Sequence, residues 1–113
     1  MTYDLYFWRS GATDDPADLA DQLAEQEADS VPADAAVLAF RADVLRRWPD
    51  LADMIEPWHE DLGWREPAEL RTDLADRYVI LTLPYRWHDI DKLPPLASQH
   101  GLDCYDPQLE TYV

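Results

Sequence analysis

The pattern of apolar and polar positions sets out most of the elements. TYDLYFW, residues 2–8, alternates Tyr3, Leu5 and Phe7 against Asp4, Tyr6 and Trp8, which with its aromatic content predicts a first strand with one face more buried than the other. Gly11 to Asp15 breaks it. DDPADLADQLAEQEAD, residues 14–29, predicts a helix capped by Asp15, with Pro16 in the first helical position and acids in the first turn, where the dipole favours them. Its large apolar residues are Leu19 and Leu23, backed by Ala20, Ala24 and Ala28, so a thinly anchored, mostly solvated helix is expected. ADAAVLAFRADVLRRWPD, residues 33–50, places Val37, Phe40, Val44 and Trp48 on one stripe flanked by Leu38 and Leu45, and Arg46 and Arg47 in the last turn before Pro49. That spacing is core packing.

Residues 49–67 have no regular period and carry Pro49, Pro57 and Pro67, so EPWHEDLGW reads as loop. The following ELRTDLADRYVILTLPY reads as a hairpin: a short strand near Leu70, a turn over 73–76, and a strand from Tyr78 to Leu83. Val79, Ile80, Leu81 and Leu83 make both faces of the latter apolar, which places it centrally in a sheet. A third helix is expected over roughly Pro94 to His100, ended by Gly101, and LDCYDPQ is a last strand stopped by Pro107. The order strand, helix, helix, strand, strand, helix, strand predicts one α+β domain over residues 1–113. Its expected architecture is a four-stranded antiparallel or mixed sheet with three helices on one face, ferredoxin-like (split βαβ) with an extra helix.

Charge changes the functional picture most. Twenty-four acids against nine bases give −15, and residues 14–34 hold Asp14, Asp15, Asp18, Asp21, Glu25, Glu27, Asp29 and Asp34 with no Lys or Arg. Nucleic-acid binding runs on cationic neutralisation of phosphates and is disfavoured. A basic protein or a cation fits better, since a one-signed surface steers oppositely charged partners. No apolar run is long enough to span a membrane, no basic segment precedes an apolar stretch at the N-terminus, and one cysteine forms no internal disulfide, so a cytoplasmic protein is expected.

Chemical motifs are sparse. HGLDCYDPQ, residues 100–108, sets Cys104 near His100, Asp103 and Asp106, but in a strand from Leu102 to Tyr105 the thiol shares a face with Leu102 and points at the helices. Cys104 therefore reads as buried and structural, and His100 as an imidazole at a helix end. WHED and WHDID group His59, Glu60 and Asp61, and His88, Asp89 and Asp91. Of these, His59, Glu60, His88 and Asp89 are weak metal candidates, because adjacent side chains diverge and no His-x-x-x-His or Cys-x-x-Cys spacing occurs. No cofactor is expected: three scattered glycines cradle no nucleotide. Trp58 and Trp64 flank Glu60 and Asp61, and Tyr85, Arg86 and Trp87 follow the central strand. Such aromatics among charges are what protein interfaces use as anchors, although inward-folded tryptophans capping the sheet explain them equally.

YDLYFW at the start, VLAFRADVLRRWPD in mid-chain and LASQHGLDCYDPQ at the end together resemble a set of small uncharacterised proteins of high-GC actinobacteria. These open with a Tyr-Asp-Leu strand and close on Gly-Leu-x-x-Tyr-Asp-Pro-Gln, and similar proteins occur among the immunity proteins of polymorphic-toxin systems. The resemblance implies a cytosolic toxin-neutralising binding protein and supplies no catalytic residues. TLPYRW, residues 82–87, stands where such proteins carry a Trp-Ser pair, so partner specificity need not transfer.

The expectation is thus a non-enzymatic protein-binding domain of immunity type. Asp18, Asp21, Glu25, Trp58, Glu60, Asp61, Trp64 and Trp87 would cover a basic toxin surface, that of a nuclease for instance. Two alternatives stay open: a small metal-dependent hydrolase using His59, His88 and nearby carboxylates, and a homodimeric housekeeping protein.

Overall fold

The computed structural model describes residues 2–56 and 75–113. Strand β1 spans Thr2–Arg9, α1 Pro16–Ala24, α2 Ala35–Arg47, β2 Ile55–Glu56, β3 Tyr78–Pro84, α3 Leu93–Gln99, β4 Leu102–Asp106 and β5 Thr111–Tyr112. Single 3-10 turns occupy Pro49–Asp53 and Ile90–Lys92. The strands form one sheet in the order β2-β3-β1-β4-β5, every neighbouring pair antiparallel. The α+β class and antiparallel sheet agree with the sequence, but there are five strands rather than four. Strands β1 and β2 are each antiparallel to β3, which lies between them with Leu5 and Ile55 both opposite Leu81, so β1 and β2 run parallel to one another on either side of it. Thr82 N–H extends the β2 edge by donating to Met54 C=O at 2.9 Å.

The helices lie on both faces of the sheet, not one. Leu5, Phe7, Val79, Leu81, Leu83, Leu102 and Cys104 pack against Val37, Phe40 and Val44 of α2 and Leu93, Leu96 and Ala97 of α3. On the opposite face Tyr6, Trp8, Tyr78, Ile80 and Tyr105 pack against Leu19, Ala20 and Leu23 of α1 and against Ala28 and Val31 beyond it. The physical reason is in β1 and β3: both strands are apolar on both sides, and a sheet so built needs cover on each.

Asp15 caps α1 as predicted, accepting from Asp18 N–H at 3.1 Å, and Asp34, not foreseen as a cap, accepts from Ala36 N–H at 2.8 Å to start α2. Gly101 ends α3 at φ +75°, a conformation open to glycine without strain. Helix α1 stops at Ala24, five residues short of expectation, and the chain turns through Gln26 at φ +63°. The segment between α1 and α2 is then tied to β3. Arg77 donates to the carbonyls of Val31 at 2.7 Å and Ala28 at 3.3 Å, and Asp34 N–H donates to Asp76 C=O at 2.8 Å.

Candidate functional site

His100 and Cys104 do not form a thiol site. Cys104 is 3% exposed within the α2/α3 core, and burial, then the charges of Asp106 and Asp103, push its thiol up to about 12. A thiolate nucleophile needs the opposite environment. The His100 ring stands edge-on to Phe40 at 5.9 Å, and its Nε2 lies 3.2 Å from Asp43 Oδ2. Asp43 also receives Arg46, and Arg47 Nε at 3.1 Å, so this cluster fastens the start of β4 to the last turns of α2. His100 first, then both arginines, hold the Asp43 carboxyl down at about 2.

At the second histidine, His88 Nε2 lies 3.2 Å from Asp89 Oδ2, but that carboxylate is already used. It accepts from Trp48 Nε1 at 2.8 Å and pairs with Lys92 Nζ at 3.0 Å, pinning the 3-10 turn to the end of α2. His59 and Glu60, the other metal candidates, lie outside the described residues. Among the described residues no three His, Cys, Asp or Glu side chains group as metal ligands, and no helix is long and apolar enough to cross a membrane.

The sequence-predicted interface residues divide. Asp18, Asp21 and Glu25 are exposed, and with Asp14, Asp15, Glu27 and Asp29 they form an acidic surface along α1 and the turn after it. Among the described residues no Lys, Arg or His pairs with any of the seven; the nearest ion pair on that side joins Arg9 to Asp34 at 3.5 Å. Trp87, expected as an interface anchor, is instead 7% exposed and packs edge-on to Trp48 at 5.3 Å. The chain turns at Arg86, φ +60°, which folds the indole into the core and leaves Tyr85 outside under the Arg86 guanidinium. Trp58, Glu60, Asp61 and Trp64 lie outside the described residues.

Sequence reasoning missed the work done by YDPQ. The β1/β4 register sets Tyr6 opposite Tyr105, which brings Pro107 opposite Asp4. Proline has no N–H to give the ladder. The Gln108 carboxamide takes over: its Oε1 accepts from Asp4 N–H at 2.8 Å and its Nε2 donates to Asp4 C=O at 2.9 Å. Asp106, 1% exposed, orients that amide, accepting at Oδ1 from Gln108 Nε2 at 2.6 Å, Gln108 N–H at 2.9 Å and Leu109 N–H at 3.2 Å. Its Oδ2 accepts from the Tyr3 hydroxyl. That bond, then burial, pushes the phenol up to about 12. The two end motifs thus grip one another: Tyr3 and Asp4 of the first, Asp106 and Gln108 of the second.

Two further features run against what the charge of the residue suggests. Arg41 is buried on α2, and desolvation lowers its guanidinium to about 10, leaving it a cation at neutral pH. Glu56 of β2 is raised by burial first and then by Asp4, which shares its face of the sheet. Comparison with family models, curated proteins and solved structures found no match for this chain.

Proposed function

We propose that the chain is a non-enzymatic protein-binding domain that covers a basic partner, acting as an immunity-type protein toward a cationic toxin surface such as that of a nuclease. The observation that supports this is the acidic tract from Asp14 to Asp29, whose seven carboxylates are exposed and have no Lys, Arg or His partner among the described residues. Packing like charges on one surface raises the energy of the free protein, and a cationic partner relieves that repulsion while being steered to the site. A nuclease must present cations to phosphates, so an acidic cover competes for the same groups. The buried Cys104, the Asp43-bound His100 and the Trp48-bound Asp89 each have a structural role that accounts for their placement.

The test is capture from host lysate at low salt on the tagged protein and on an Asp18→Lys, Asp21→Lys, Glu25→Lys variant, followed by reconstitution with the purified partner. The expected result is a single basic protein, lost on charge reversal, with affinity falling steeply as salt rises. Retention of no basic protein, or equal retention by the variant, overturns the reading. All three side chains are exposed and the substituted helix keeps Leu19 and Leu23, so a matching circular dichroism spectrum confirms a folded control.

A further inference from the structure

The sheet ends on β5, and the register fixes which backbone groups of that edge face outward. Val113 N–H donates to Cys104 C=O at 2.9 Å, which makes Cys104/Val113 and Asp106/Thr111 hydrogen-bonded pairs and Tyr105/Tyr112 a non-bonded pair. The other side of β4 agrees: Ser10 N–H donates to Gly101 C=O at 3.1 Å, so odd-numbered residues of β4 bond β1 and even-numbered ones bond β5. The N–H and C=O of Tyr112 therefore point away from the sheet. Among the described residues no strand takes them.

This edge is also apolar and acid-ringed. Among the described residues, Leu109, Tyr112 and Val113 are three of five large apolar side chains that are exposed. The Tyr112 ring, 42% exposed, lies edge-on to buried Trp8 at 6.2 Å and buried Tyr105 at 5.7 Å, which hold it in place on the α1 side of the sheet. Asp103 stands on that same side, and Glu110 precedes the strand at φ +53°. Burial first, then Glu110, Asp21 and Asp15, raise the Tyr105 hydroxyl, which places three of these carboxylates within electrostatic reach of the aromatic pair.

We propose that β5 is the docking edge for an extended, basic segment of a protein partner, which adds as a sixth strand through the N–H and C=O of Tyr112. Its Lys and Arg side chains meet Asp15, Asp21, Asp103 and Glu110 on the α1 side, and its intervening apolar residues cover Val113 and Leu109. Strand addition takes affinity from main-chain bonds and specificity from alternate side chains. Charge decides the occupant. A second copy would bring the same carboxylates against their own images, whereas a cationic strand neutralises them. The proposal rests on the basic-partner reading above and adds the place and mode of contact.

The probe is a synthetic peptide of about ten residues with Lys at every second position and Thr or Val between. Its comparators are the same peptide N-methylated along one edge and an isosteric Glu peptide. Binding is followed at low salt by fluorescence anisotropy and by hydrogen exchange at the Tyr112 amide. Tyr112→Pro deletes the outward N–H and breaks no β4/β5 bond; Tyr112→Phe keeps the N–H and the ring. The expected result is binding of the Lys peptide alone and slowed exchange at Tyr112. N-methylation or Tyr112→Pro should weaken binding at least about tenfold, while Tyr112→Phe changes it less than about twofold, as expected when two main-chain bonds are at stake. Lys-peptide binding that is lost on the Asp18, Asp21, Glu25 reversal but indifferent to N-methylation and Tyr112→Pro overturns the edge and leaves the acidic surface standing. No binding of the Lys peptide also overturns the edge, while lysate capture decides the wider reading independently. A dimer in sedimentation velocity that Tyr112→Pro dissolves overturns the proposal by making the occupant a second copy.

Discussion

Replacing Asp106 by alanine and by asparagine separates the charge of the end-to-end grip from its shape. The carboxylate is 1% exposed and accepts four hydrogen bonds, from Tyr3 Oη, Gln108 N–H, Gln108 Nε2 and Leu109 N–H. Each bond to a charged acceptor is worth about 1.5–3 kcal/mol net, but the turn groups of Gln108 and Leu109 can rehydrate, so the four do not add. Alanine strands the half-buried Tyr3 hydroxyl, leaves a void and releases the Gln108 amide that stands in for the Pro107 N–H. A loss of about 3–5 kcal/mol follows. For a chain of this length that is a fall of about 12–20 °C in Tm, at roughly 4 °C per kcal/mol. Asparagine keeps an oxygen for the three turn donors and turns its Nδ2 to the Tyr3 hydroxyl, which accepts instead of donating, so about 1–2 kcal/mol is lost. Thermal and urea unfolding measure both, and a double-mutant cycle with Tyr3→Phe should return a coupling of about 1 kcal/mol or more. Equal small losses for Ala and Asn, or strict additivity with Tyr3→Phe, would refute the account.

Three further outcomes follow from the same contacts. The Asp43 carboxyl is held below its unfolded value of 3.8, at about 2, so its contribution is complete above pH 4 and lost as pH falls toward 2. Because Arg46 and Arg47 are largely solvated, that contribution is on the order of 1 kcal/mol; Asp43→Asn should flatten the acid limb of a stability–pH curve by this amount, and an unchanged limb would remove the cluster's role. Cys104 should resist iodoacetamide and aromatic disulfides at pH 8 in the native protein and react fully once unfolded in guanidinium, whereas prompt native labelling would contradict its burial. Gly101→Ala should cost about 1 kcal/mol, all of it backbone strain at φ +75°, because an added Cβ meets nothing within 4 Å; urea midpoints read this directly.

Much of this architecture is legible in the residues. Asp15 before Pro16, the Val37, Phe40, Val44 stripe and Gly101 locate the helices because caps and period are local properties. Strands β2 and β5 were not legible: two residues carry no alternation, and what makes them strands is pairing with β3 and β4. Placing the helices on both faces was within reach, since Tyr6 and Trp8 of β1 and Tyr78 and Ile80 of β3 are apolar on the side away from α2. Arg41, four residues after Val37, also lay on the predicted stripe, but its charge marks it as solvated in any local reading. For Trp87 the sequence leaves an outward anchor and an inward cap equally open, because its neighbours Arg86 and His88 are polar while the indole is not; the turn at Arg86 decides for the core. At the termini, Pro107 and Gln108 spell a strand end followed by a polar residue, and only the register with Asp4 shows one compensating for the other.

The central strand β1 is synthesised first, yet one of its two neighbours, β4, lies about 95 residues downstream. At ~5–20 residues per second, a nascent chain waits roughly 5–20 s between the emergence of Phe7 and that of Cys104. Throughout that interval one long edge of β1 lacks its ladder, and Trp8 lacks the Tyr105 ring on which it finally stacks. Pairing so distant in sequence is slow to close, and the unpaired aromatic strand invites association with other chains. The protein's yield in a cell is therefore governed by whatever shields residues 3–8 during translation, and slowing elongation late in the message would harm it more than slowing it early.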